Sequence, residues 1–175
     1  MKNIFIGFIL IFLDFSLNLG NSKIGLIPDF IGYIIMIKGL EEMAEESNFF
    51  IKIKPFVAGM AIYSGILYFM DLIGASVSLG TLTYLLAFMS IVVSLYISYH
   101  IVMGVIEMEG TYQTFLNGNS LKSTWQLLAI FNVLSLVSLL IPVAAIFFIL
   151  ASFVVAVCFL VAFSNSKNRY YEIVR

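Results

Sequence analysis

Apolar residues in this chain come in long unbroken runs, not in the strict alternation of half-buried strands. Six runs stand out: Ile4–Leu19, Ile24–Leu40, Pro55–Ile73, Leu82–Ile106, Leu121–Ile141 and Val143–Phe163. A bilayer-crossing helix needs about 20 mainly apolar residues, with a range of about 17–25, whereas a membrane barrel needs short alternating segments. The last four runs are continuous, flanked by Gly or Pro, and nearly free of charge. The pattern predicts an all-α, polytopic transmembrane bundle of about six helices. Residues 1–175 form a single transmembrane domain in this reading, with no linker, low-complexity stretch or internal repeat.

The first two runs are less regular. The first holds Asp14 and Asn18, and the second is interrupted by Pro28-Asp29 and by Lys38. Proline suits the first turn of a helix, where its missing N–H would have no partner, and an adjacent Asp complements the positive helix end. The second helix is therefore predicted to be short and to open near Pro28, with Ile24–Ile27 as an extended approach. Its inner end runs into Glu41-Glu42-Met43-Ala44-Glu45-Glu46, read as a solvated acidic stretch. A re-entrant pair that dips in and returns is the alternative for these two runs. Lys2 followed by Asn3–Leu13 resembles the start of a signal peptide, but Asp14 and Asn18 break that pattern and no small-x-small cleavage site follows. Retention as a helix is expected.

Composition agrees with lipid as the solvent. Of 175 residues, 62% are hydrophobic and 11% charged, against roughly 45–50% and 25% for a soluble domain. Net charge is −1 and no basic patch exists, which excludes a nucleic-acid surface. The expected partners are the lipid bilayer and, through the helix faces, other membrane proteins or a second copy. The lone Cys158 has no intrachain partner, and the Ile-, Phe- and Asn-rich usage is associated with AT-rich bacterial genomes. Lys2, Lys38, Lys52, Lys54, Lys122, Lys167, Arg169 and Arg175 fall on one side of the predicted spans, and only Lys23 on the other. The positive-inside rule then places both termini in the cytoplasm of a plasma-membrane protein, with four or with six spans.

Ionisable groups within lipid are costly and mark functional candidates. Helical spacing puts Gly7, Ile11, Asp14 and Asn18 on one face, Asp29, Gly32 and Tyr33 on another, and Ser64, Tyr68 and Asp71 on a third. At about 1.5 Å per residue, Asp14 is expected near mid-membrane, and Asp29 and Asp71 towards the outer surface. The candidate polar cluster is thus Asp14, Asn18, Asp29, Tyr33, Ser64, Tyr68 and Asp71, able to bind a cation or relay protons. The plainer alternatives are a helix-terminus role for Asp29, an interfacial Asp71 and a hydroxyl-bonded Asp14. His100 shares a face with Met103 and Glu107 but lacks a second strong ligand, so an interfacial histidine is expected instead of a metal site. Thr83, Ala87, Ser90, Ser94 and Ser98 form a small-residue stripe read as helix packing, with a pore lining as the alternative. Asn132 is read as interhelical glue.

Protease motifs fail. Glu41-Glu42 is not followed by Arg, and Ile62-Tyr63-Ser64-Gly65 lacks the first Gly of a Gly-x-Ser-Gly site. No catalytic residue, cofactor or metal ligand is assigned. The stretch Ile27-Pro28-Asp29-Phe30-Ile31-Gly32-Tyr33-Ile34-Ile35, followed by Lys38-Gly39-Leu40, resembles a motif of small uncharacterised multi-pass membrane proteins of Gram-positive bacteria. That resemblance implies a membrane bundle and no assigned catalytic residue. The leading functional expectation is a non-enzymatic accessory or assembly subunit. The alternatives are a small transporter or channel using intramembrane carboxylates and, behind it, an intramembrane enzyme.

Overall fold

The structure is a computed structural model that describes residues 1–12, 16–19, 22–25, 28–74, 82–138 and 142–174. Among the described residues, six helices form an all-α bundle: α1 (Lys2–Phe12), α2 (Asp29–Glu42), α3 (Asn48–Leu72), α4 (Leu82–Tyr112), α5 (Gly118–Ser138) and α6 (Pro142–Ile173). Between α1 and α2 lies a short antiparallel hairpin of β1 (Ser16–Leu19) and β2 (Ser22–Gly25), paired Ser16↔Gly25, Leu17↔Ile24, Asn18↔Lys23 and Leu19↔Ser22. Four helices, α3 to α6, are long and apolar enough to cross a membrane.

The first helix is shorter than its apolar run. It is described as far as Phe12, and Ser16–Leu19 is strand, not the helix predicted as far as Leu19. Ser and Asn side chains compete with the helix ladder for backbone groups. The second helix begins where the proline places it. Pro28 is the N-cap, with φ −66° and ψ 133°, its carbonyl accepts from the Ile31 N–H at 3.0 Å, and Asp29 occupies the first turn. Of the predicted extended approach, Ile24 and Gly25 lie in β2, which packs against α3, and Leu26 and Ile27 lie outside the described residues.

The third helix starts well before Pro55. Ser47 caps it, its hydroxyl accepting from the Phe49 N–H at 3.1 Å, so Pro55 sits inside the helix. A proline there leaves the carbonyl four residues back without its helical donor. Both α4, with 31 residues, and α6, with 32, exceed a membrane's thickness. At about 1.5 Å per residue each runs over 45 Å against a hydrocarbon core of about 30 Å. The turn from α4 to α5 uses left-handed backbone at Gln113 (φ 50°) and Asn117 (φ 67°), and the Glu109 carboxylate accepts the Gly118 N–H at 2.7 Å. That carboxylate meets the positive end of α5, where it is stabilising.

Helices cannot gain hydrophobic energy by burying apolar surface that lipid would cover equally well, so close backbone approach and aromatic contact hold them together. The α1–α2 seam is built from glycine. A Cβ on Gly7 would lie 2.8 Å from the Gly32 carbonyl oxygen, and one on Gly39 would lie 2.5 Å from the Ile4 nitrogen. On its other side α1 meets α6 through rings: Phe8 is edge-on to Phe159 at 5.3 Å and to Phe163 at 5.4 Å. Such pairs contribute about 0.5–1.5 kcal/mol beyond the area they bury. The outward faces stay apolar, with Ile62, Ile66 and Phe69 on α3 and Ile146, Phe147 and Leu150 on α6 all exposed, as lipid contact requires.

The seam predicts opposite outcomes for two alanine substitutions. Gly39→Ala drives a Cβ into the backbone of α1 and should cost about 1–3 kcal/mol as overpacking, read as a lower unfolding midpoint in an SDS titration. Gly59→Ala, where an added Cβ meets nothing within 4 Å, should leave the midpoint unchanged or raise it slightly. Equal behaviour of the two would show that the seam does not hold the bundle.

Candidate functional site

The short second helix delivers two polar side chains to the interior. Asp29 and Tyr33, one turn apart on α2, face Ser90, Ser94 and Ser98, which follow one another at four-residue intervals along α4. Asn132 of α5 completes the ring, and Ile11, Phe12 and Leu128 close it with apolar walls. The cavity has a volume of about 170 Å³. Tyr33 is 4% exposed and reaches Ser94 across the cavity. Ser98 donates to the Ser94 carbonyl at 2.9 Å and accepts the Trp125 indole N–H at 3.0 Å, which fixes its hydroxyl. The Asn132 amide donates to the Leu128 carbonyl at 2.8 Å.

Asp29 lies about 20 Å along the α2 axis from Glu42 at about 1.5 Å per residue. Among the described residues no Lys, Arg or His lines the cavity. Its lining offers a carboxylate, four hydroxyls and an amide, an oxygen-rich set with negative formal charge. Such ligands suit a hard cation or a protonated amine and disfavour an anion.

The other sequence candidates lie elsewhere. Asp14 is outside the described residues. Asn18 sits in β1 opposite Lys23. Ser64 donates back to the Met60 carbonyl at 2.7 Å on its own helix. Tyr68 stacks edge-on against Phe30 at 5.8 Å, and Asp71 lies in the last turn of α3, where its carbonyl accepts the Gly74 N–H. Among the described residues, Asp29 and Tyr33 are the candidates that line the cavity. The serine stripe and Asn132, read as packing, supply its opposite wall. Their four-residue period was visible in the sequence, but whether such a stripe meets a helix or a gap depends on what α2 sets against it. His100 is part of an aromatic group, 4.1 Å from the Tyr96 ring and 5.8 Å from Phe49, with Nδ1 3.0 Å from the Tyr96 carbonyl. Among the described residues no three His, Cys, Asp or Glu side chains converge.

The acidic run does more than solvate the inner end. Glu46 accepts from Tyr112 of α4 at 2.5 Å and from Tyr170 of α6 at 2.9 Å. Ser47 bonds Glu107 of α4, Asn3 of α1 donates to Glu42 at 2.5 Å, and Glu41 pairs with Lys54 at 2.6 Å. The backbone N–H of Lys2 donates to the Tyr171 hydroxyl at 3.2 Å, so the start of α1 and the end of α6 share this end of the bundle. The α2–α3 turn thereby ties α1, α4 and α6 together.

Fold and cavity define a polytopic helical bundle with a polar pocket between α2, α4 and α5. The chain matches no protein-family model, no curated protein and no solved structure.

Glu46 can be tested as a shared anchor. Tyr170→Phe keeps the ring and removes one hydrogen bond to a carboxylate, which should cost about 1.5–3 kcal/mol. Combined with Glu46→Gln in a double-mutant cycle, the pair should show a coupling of about 1 kcal/mol, measured by SDS unfolding. Strict additivity would remove Glu46 from the role of anchor.

Proposed function

We propose that the protein is a small cation-handling carrier of the plasma membrane, with the α2–α4–α5 pocket as its binding site. One observation supports this reading: a cavity of about 170 Å³ between α2, α4 and α5 of an apolar bundle, lined by the Asp29 carboxyl group, hydroxyls and an amide. Burying polar groups away from water is unfavourable unless they are satisfied, and an assembly subunit needs only packed helices, not a lined cavity. Intramembrane ionisable groups mark ion and substrate pathways. Asp29 supplies the charge, Tyr33, Ser90 and Ser94 supply oxygen donors, and Ser98, held by Trp125, fixes the inner wall. The Pro28–Tyr33 stretch that carries the family resemblance gains a physical reading here. Pro28 opens the helix, Asp29 and Tyr33 line the site, and Gly32 lets α1 approach.

The lysine distribution supports a cytoplasmic assignment for the end that carries Lys2, Glu42 and Tyr171. Reporter fusions at the C-terminus and in the α2–α3 turn should read cytoplasmic, and one between α3 and α4 should read external. An external C-terminus would reverse the orientation.

Binding is read as stabilisation. A ligand at 100 times its Kd raises stability by about 2.7 kcal/mol. Purified protein in nanodiscs should melt higher in sodium or ethylammonium chloride than in N-methylglucamine chloride at the same ionic strength. Asp29→Asn should abolish the difference while folding normally, and Ser94→Leu, which fills the cavity, should do the same. Identical melting in all three salts would refute the carrier reading, and a shift that survives Asp29→Asn would move the site elsewhere.

A further inference from the structure

The last turns of α6 leave the apolar layer. At about 1.5 Å per residue its 32 residues cover about 48 Å, against a hydrocarbon core of about 30 Å. The end that projects is the polar one, Ser164-Asn165-Ser166-Lys167-Asn168-Arg169. Tyr170, buried beside it, donates to Glu46 at 2.9 Å and fixes that end against the bundle. Between it and the α4–α5 turn lies a polar cleft of about 730 Å³, whose lining includes Phe115, Asn117, Asn165, Asn168, Arg169 and Glu172. Arg169 is held twice by one residue. Its guanidinium lies 4.8 Å from the centre of the Phe115 ring, and Nη1 donates to the Phe115 carbonyl at 3.3 Å. Lys167 turns the other way, its ammonium 4.4 Å from the Phe5 ring of α1. A guanidinium carries several N–H donors in a fixed fork, so Arg169 keeps most of its own for a further partner. Among the described residues neither Arg169 nor Glu172 is ion-paired, and the side-chain amides of Asn117, Asn165 and Asn168 make no hydrogen bond to protein.

The helix face that leads to this cleft is apolar. Val154, Val157 and Val161 are exposed, and steps of three and four residues carry the same face on to Asn165, Asn168 and Glu172. One stripe thus passes from side chains suited to acyl chains to amides and a carboxylate, with Arg169 one turn beyond Asn165. We infer that the cleft holds the headgroup of a phospholipid whose acyl chain lies along the valine stripe. The headgroup is of the ethanolamine type, a phosphodiester carrying a primary ammonium. Arg169 takes the phosphate, because its planar fork of donors matches phosphate oxygens two at a time. Glu172, about one turn further along α6, takes the ammonium, and the asparagine amides bond the ester oxygens. The formal charges of Arg169 and Glu172 cancel, so a dipolar headgroup is matched at both ends. A glycerol headgroup leaves Glu172 without a cation, and a choline headgroup offers it no N–H. The cleft shares no lining residue with the α2–α4–α5 pocket, so the two sites stand or fall separately.

The test is native mass spectrometry of the full chain released from detergent, titrated with palmitoyl-oleoyl phosphatidylethanolamine, phosphatidylglycerol and phosphatidylcholine. Wild-type protein should hold the ethanolamine lipid about tenfold more tightly than either of the others, the scale of one hydrogen bond to a charged group. Glu172→Gln should bring the ethanolamine lipid to the level of the choline lipid. Arg169→Gln should weaken all the lipids about tenfold, since the phosphate is common to them. Glu45→Gln, on the α2–α3 turn and away from the cleft, should change nothing. Arg169→Gln also removes the bond to Phe115, so if that variant unfolds, Glu172→Gln, which breaks no protein contact, decides the matter. Equal affinity of wild type for the lipids, a preference for phosphatidylglycerol, or an ethanolamine preference that survives Glu172→Gln would overturn the inference. Glycerophosphoethanolamine, the same headgroup without acyl chains, should leave the lipid bound at equal concentration. Displacement by it would show a site for the free headgroup and sink the lipid assignment.

Discussion

Backbone contact between α1 and α2 at Gly7, Gly32 and Gly39 sets the depth at which the second helix enters the bundle. In lipid, helices associate through packing and hydrogen bonds because apolar burial gives little preference for protein over acyl chains. A glycine seam is therefore one of the few ways to register two short helices against each other. From that register follow the height of Pro28, the position of Asp29 and Tyr33, and the meeting of Tyr33 with Ser94. The aromatic contacts of Phe8 with Phe159 and Phe163 hold the other side of α1 to α6, so the pair cannot slide as a unit.

The end of the bundle that carries Glu42, Glu46 and Tyr170 is as tightly tied as the seam. Glu46 gathers phenols from α4 and α6, Ser47 both caps α3 and bonds Glu107, and Glu109 terminates α5. These bonds involve carboxylates, and charge-assisted hydrogen bonds are roughly twice as strong as neutral ones. The cavity lies beyond this end, between helices joined there. A bundle braced at one end can accommodate small separations further along its helices at low cost.

The long helices were legible because twenty apolar residues have few alternatives to a membrane helix, and α3 to α6 follow four of the predicted runs. The N-terminal boundary of α3 was misplaced, since Pro55 reads as a start whereas the capping Ser47 supplies one further upstream. The first run was misread at Ser16–Leu19, which is strand, because hydropathy is blind to backbone competition. Half of the pocket was legible. Asp29 and Tyr33 announce themselves as polar residues one turn apart in an apolar helix. Their opposite wall did not, because a serine stripe has the same sequence signature whether it meets a neighbouring backbone or a chamber. The acidic run was read as solvated for a related reason: tyrosines distant in sequence, at positions 112 and 170, supply its partners.

The brevity of α1 and α2 bears on how the protein enters its membrane. At about 1.5 Å per residue, 11 and 14 residues cover about 17 and 21 Å, too little to cross a core of about 30 Å alone. Neither helix qualifies as an independent inserting unit, and a hairpin with open edges is tolerated at membrane depth only against protein or water. Partition of this N-terminal segment is therefore coupled to its docking. It is settled only when α3 is present to receive β2 and α6 to receive Phe8.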